Sequence, residues 1–168
     1  MAAPSPPSLR RCGVRGKGNR VPSWAAFCAL EPELAAAVEA LLRAHKHHVM
    51  ATLRLDGSPR VSGTEVVIDD GALVLAMMPG TRRAADLRRD PRLALHTQGV
   101  DPPDGDPAAW PGEAKVSGRA VELPAGGDGA DRFAVEVTEV VLTRLGDPAD
   151  HLDVRSWRPG TGLRVHRR

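Results

Sequence analysis

Between His48 and His96 the chain sets alternating hydrophobic segments, two Asp-Gly pairs and a basic helix start into 49 residues, and this spacing limits the possible folds most. Alternation from His48 to Leu55 and again from Arg60 to Ile68 reads as two strands, and Asp56-Gly57 between them permits a tight reversal. Asp70-Gly71 permits a second reversal into Ala72–Met77, which is almost wholly apolar and so expected to be buried on both faces. Pro79-Gly80-Thr81-Arg82-Arg83 then opens a short helix that stops at Asp90-Pro91, and Arg92–His96 is a further strand. Thr81 suits the N-cap of that helix, and Ala84 and Leu87 give its inner side. Two arginines in the first turn oppose the helix dipole, which favours acids there. Unpaired backbone N–H groups at the same end form a natural anion site, so a bound phosphate would offset the cost.

The flanking segments extend the same pattern. Glu31–His45 reads as a helix with Leu34, Val38, Leu41, Leu42 and His45 on one face and Pro32 in its first turn. Asp101–Gly112 is a loop rich in Pro, Gly and Asp, Glu113–Leu123 and Arg132–Arg144 are strands, and Ala125–Asp131 connects them. Leu152–Trp157 and Leu163–His166 form a terminal strand pair around Arg158-Pro159-Gly160. One N-terminal helix, six or seven strands and a short crossover helix make a mainly β protein with minor α, a small antiparallel barrel.

Charge narrows the function classes. Residues 1–20 carry Arg10, Arg11, Arg15, Lys17 and Arg20 and no acid. Removing those five from 23 basic residues leaves 18 against 21 acidic ones, a net of −3, so the body offers no nucleic-acid surface. Residues 1–22 are expected to be a disordered basic tail and 23–168 one domain. Cys12 and Cys28 have no metal-type spacing, which fits a reduced, cytoplasmic protein, and no apolar run approaches the ~18 residues of a membrane span.

Candidate chemistry is sparse. Arg60, Ser62 and Thr64 share one face of the second strand, which is either a ligand-facing surface or a solvated one. His45, His47 and His48 straddle a helix–strand junction with no carboxylate or cysteine at ligand spacing, so no metal site is expected. There is no Gly-x-Ser-x-Gly elbow, and Gly13–Gly18 follows no strand as a dinucleotide fingerprint must.

The ordered combination "ATLRLDGSPRVSG", "DDGALVLAMMPGTRRAADLRRDPRLALHT" and "GEAKVSGRAVEL" resembles the pyridoxamine 5′-phosphate oxidase-like family, the flavin-binding split β-barrels, and its small actinobacterial members in particular. The resemblance runs from about Trp24 to the C-terminus. It implies that Arg60, Val61, Ser62 and Thr64 line a flavin, that Thr81-Arg82-Arg83 holds its phosphate, and that Met77 lies beside it. Glu113 stands where family oxidases carry a glutamine. Trp157 and Arg168 are implied near the cofactor, and Arg164 and His166 near the substrate. Glu65 replaces a lysine that holds substrate phosphate in the vitamin B6 oxidases, so a phosphorylated B6 vitamer is not the expected substrate.

The resemblance further implies a homodimer with the cofactor at the subunit interface and a small-molecule substrate. The cofactor the resemblance implies is FMN, with the deazaflavin coenzyme F-420 an alternative and haem a further one. Function is expected to be a flavin-dependent oxidoreductase, the ring carrying the redox chemistry. A non-catalytic flavin- or haem-binding storage or sensor protein is the alternative from another class.

Overall fold

The computed structural model describes residues 21–168, so the expected basic tail lies outside the described residues except for its last two. Two helices come first, α1 (Trp24–Leu30) and α2 (Pro32–Ala44). They are followed by β1 (His47–Leu53), β2 (Pro59–Asp69), β3 (Ala72–Met77), α3 (Arg82–Arg89) and β4 (Arg92–His96). A single 3-10 turn at Pro107–Ala109 interrupts the next loop. The chain ends with β5 (Glu113–Leu123), β6 (Asp131–Leu145), β7 (Leu152–Arg158) and β8 (Gly162–Arg167).

All eight strands form one antiparallel sheet in the order β3-β2-β1-β4-β5-β6-β7-β8, and β3 also pairs with β6. That pairing, Val74 opposite Ala134 through Met77 opposite Asp131, closes six strands into a barrel. β7 and β8 extend from β6 as a two-stranded arm. The expected six- or seven-stranded antiparallel barrel is therefore the observed fold, closed by six strands, with β7 and β8 added beyond it.

Local chemistry explains the turns. Asp70 and Gly71 both take positive φ, 46° and 72°, as the shortest hairpin turns require. At the first reversal only Gly57 is left-handed, and Asp56 steadies it by accepting the Ser58 backbone N–H at 2.9 Å. Barrel curvature shows at Gly118, where the β5–β6 register shifts. A Cβ there would lie 2.4 Å from the Glu136 carbonyl oxygen, so no side chain fits.

At the N-terminus the sequence suggests one helix and the structure has two. Pro32 lacks an N–H and disfavours helical backbone at Glu31, whose φ of −134° and ψ of 65° break the run. The first helix escapes a periodicity reading because its seven residues have no polar face. Ser23 caps it, and Trp24 and Phe27 on one side of it are buried.

The core fills the barrel and continues under both helices. Met50, Leu73, Leu75, Val116, Phe133, Val140 and Leu142 meet Leu34, Val38, Leu41 and Leu42 of α2. Phe27 stands between two tryptophans, with ring centroids 5.2 Å from Trp24 and 4.9 Å from Trp157. β3 is buried along most of its length, as its composition requires.

Candidate functional site

β1 and β2 turn their polar sides inward. Thr52 and His48 on β1 and Thr64 on β2 are buried, whereas Val49, Val61 and Gly63 face outward. The Arg60, Ser62, Thr64 face is thus neither open to solvent nor a plain barrel lining. Its outer end lies against α3, through a carboxylate that sequence reading passed over. Asp86 on α3 is buried and accepts from Arg60 Nε at 2.6 Å and from Thr52 Oγ1 at 3.0 Å on one oxygen. Its other oxygen accepts from Arg89 at 3.2 Å. Burial pushes the Asp86 carboxyl up, but the hydrogen bonds from Arg60, Thr52 and Arg89 outweigh it and hold the group below the usual carboxylate range. The sequence does carry a signal for it. Thr52 and Arg60 on inward faces need a partner, and Asp86 is the acid beside the inner Leu87 of the crossover helix.

The N-terminus of α3 is built from the residues marked in the sequence. Thr81 Oγ1 accepts the Ala84 N–H at 3.4 Å, which makes it the N-cap. Arg82 is exposed. Arg83 lies half-buried over β2 and donates from Nη1 to the Gly63 carbonyl at 2.5 Å. Its Nε and the Ser62 Oγ are buried with no hydrogen-bond partner among the described residues. The preceding loop is tied down by Asp131, which accepts the Gly80 N–H at 3.0 Å and pairs with Arg88 at 2.6 Å.

Beside this helix end a cleft of about 280 Å³ is lined by Thr64, Glu65, Ala76, Met77, Arg83 and His47 among others. Glu65 is paired with Lys46 at 3.1 Å and lies 3.5 Å from His47. The volume is just under the range of about 300–1,000 Å³ usual for small-molecule sites.

The C-terminal candidates sit elsewhere on the chain. Arg164 and His166 share a separate cavity of about 240 Å³ with Ser156, Arg158 and Glu139. Trp157 is buried in the core against Phe27, and Arg168 is exposed, its backbone paired with Leu152. Glu113 opens β5 between His96 at 3.4 Å and Lys115 at 3.1 Å. The two groups are nevertheless related by register. Gly63, Val49, His96, Lys115, Val141, Ser156 and Arg164 lie directly opposite one another in turn, forming one row from β2 to β8. Around the open side of the barrel β2 and β8 are six strand steps apart, and through the β3–β6 seam they are four.

The histidine cluster resolves into structure. His48 donates through Nε2 to the Leu42 carbonyl and accepts the Gln98 N–H at Nδ1, both at 3.0 Å, so neither nitrogen is free for a metal. Among the described residues no group of three or more His, Cys, Asp or Glu is placed to hold a metal ion, and no helix is long and apolar enough to cross a membrane.

Comparison with solved structures places this arrangement among known folds. PhzG of Burkholderia lata 383, solved in complex with tetrahydrophenazine-1-carboxylic acid, superposes with a TM-score of 0.58 at 12% identity, covering 92% of this chain and 97% of that one. ChuZ of Campylobacter jejuni gives a TM-score of 0.56 at 11% identity, covering 82% of this chain and 62% of that one. At these identities the likeness is one of fold. No curated protein matches by sequence. The family model for pyridoxamine 5′-phosphate oxidase matches residues 34–141, from the second helix through most of the sixth strand, and the chain belongs to that family.

Proposed function

We propose that this protein is a flavin-dependent oxidoreductase, using FMN or coenzyme F-420 on a small substrate, with the cofactor phosphate seated at the N-terminus of α3. The observation that carries the reading is the buried, unpartnered Arg83 Nε at a helix end that already bears two arginines, with a second unpartnered buried atom, Ser62 Oγ, on the neighbouring strand β2. An anion there would satisfy the arginine and the free N–H groups of the first turn. The residues therefore fit a phosphate-bearing cofactor. Such a group, when bound, would supply hydride or electron transfer through its ring.

The chain's own residues would bind and orient. Thr81, Arg82 and Arg83 would take the phosphate, with Arg60 reaching it from β2 and Val61 and Thr64 continuing that wall. Met77 and Ala76 offer an apolar floor to a ring in the cleft they line. Glu65, which also lines the cleft, would disfavour a phosphorylated substrate there, since a carboxylate repels phosphate at close range.

A second copy of the chain would complete the site. Arg164 and His166 line a cavity separate from the cleft that Arg83 lines, and a second chain would bring them to the same small molecule. The outward side of β1, β2 and β4 presents Val49, Ala51, Val61 and Ala94 next to one another, a small apolar surface suited to a twofold contact. Glu113 would stand near the cofactor from β5.

Titration of the purified protein with FMN and, separately, with F-420 tests the reading, followed by thermal unfolding with each. Saturable binding that raises the unfolding temperature is expected for one of them, because a ligand of the native state stabilises by mass action. Absence of binding by both would refute it.

A further inference from the structure

We infer that Asp86 is a positioning residue for the anion site, acting through Arg60: the clamp it forms with β1 and β2 presents the outer guanidinium nitrogens of Arg60 to a phosphate. The inference rests on the reading of that site given above.

Three observations support it. The first is the cost of the carboxylate. The Asp86 side chain is 4% exposed on a surface helix, and a buried charge is retained only when strongly bonded. Its donors come from three elements, Thr52 on β1, Arg60 on β2 and Arg89 on α3 itself. The carboxylate therefore fixes the helix against two strands at once.

The second is which atom of Arg60 is used. Arg60 gives Nε to Asp86, while its two terminal nitrogens have no hydrogen-bond partner among the described residues. Arg89 behaves differently, because one terminal nitrogen reaches both Asp86 and the Leu53 carbonyl. Arg89 is spent on the protein. Arg60 is held at one atom and open at the others, although its side chain is only 21% exposed. A planar fork fixed in this way is suited to phosphate oxygens.

The third is the company Arg60 keeps. Ser62, two residues along the same strand face, and Arg83, whose Nη1 is on Gly63, each hold a buried polar atom without a partner. Donors left open on β2 and on α3 thus flank one seam, and Asp86 joins the two elements there alongside the Arg83–Gly63 bond.

The test is a double-variant cycle read by FMN titration and far-ultraviolet circular dichroism. Wild type, Asp86→Asn, Arg60→Ala and the double variant are compared. Asp86→Asn should keep the fold and weaken FMN binding about tenfold when Arg60 is present, yet change it little in the Arg60→Ala background. Thr52→Val, which removes one clamp donor and keeps the volume, should give a smaller loss, about two- to threefold, with the same dependence on Arg60. It decides the matter if Asp86→Asn does not fold. Equal losses with and without Arg60, or no loss, would overturn the inference. If wild type binds no FMN, the same proteins are titrated with F-420 and with inorganic phosphate. Phosphate binding alone, with the same dependence on Arg60, would refute the flavin reading and sustain the positioning role. Failure of all three to bind would overturn both.

Discussion

The imidazole of His48 takes the Gln98 N–H on Nδ1 and gives its own Nε2 proton to the Leu42 carbonyl, so the ring is neutral and its tautomer is set by two backbone groups. It joins the end of α2 to the residues that follow β4. Burial pushes its pKa below the ordinary histidine value, ahead of smaller upward contributions from the backbone bonds to Leu42 and His45. A second proton on Nδ1 would face the Gln98 N–H, donor against donor.

Stability should therefore fall in mild acid. A histidine whose folded pKa is lowered contributes fully above its unfolded value of about 6.5, and the contribution is lost as pH falls from there toward the folded pKa. Urea midpoints measured at pH 7.5 and 5.5 should show the loss in wild type and a smaller one in His48→Gln. Asp86, also lowered, adds a further loss in stronger acid, below the ordinary carboxylate range.

The two arginines of α3 should not be equivalent. Arg83 is anchored on Gly63 with its Nε buried, whereas Arg82 is exposed. Arg83→Ala should cost more FMN affinity than Arg82→Ala, and the double variant should lose about 2–5 kcal/mol, the scale of buried charge-pair truncations. Fluorescence titration reads this directly; equal single-variant losses would show that the phosphate does not favour the inner arginine.

Trp157 should behave as a core residue whatever else it does. Its ring packs on Phe27, and truncating a buried tryptophan costs about 3–5 kcal/mol. Trp157→Ala should lower the unfolding temperature of the cofactor-free protein sharply. A Trp157→Phe variant should recover most of that loss.

Val49 offers the test of self-association. It is 41% exposed on the outward side of β1, opposite Gly63 and His96. Val49→Asp should leave circular dichroism unchanged and convert a dimer to a monomer in sedimentation at micromolar concentration. A monomeric wild type loaded with cofactor would contradict the intersubunit site.

Turn chemistry and alternation made most of the barrel legible. Asp56-Gly57, Asp70-Gly71 and Thr81 each sit where their residue types direct, because those signals are local. What stayed hidden depends on distant pairing. Asp86 reads as one more charge on a basic helix until β1 and β2 bring Thr52 and Arg60 beneath it. The inward turn of Arg60, Ser62 and Thr64 was equally hidden, since alternation gives two faces and does not say which is inner. Arg83 and Arg164 both belong to recognisable segments, yet only the folded chain shows that they line separate cavities.

β6 carries the barrel seam on its first four residues and the arm on its last six. Within that arm, β7 and β8, Trp157 is the one buried residue. The hairpin is thus hung on a backbone ladder and a single aromatic peg. Arg164 and His166 lie on its outer strand, opposite Ser156 and Val154, so a tilt at the peg would be carried to them across one strand pairing. The aim of those two side chains would thus rest on one ring packed against Phe27.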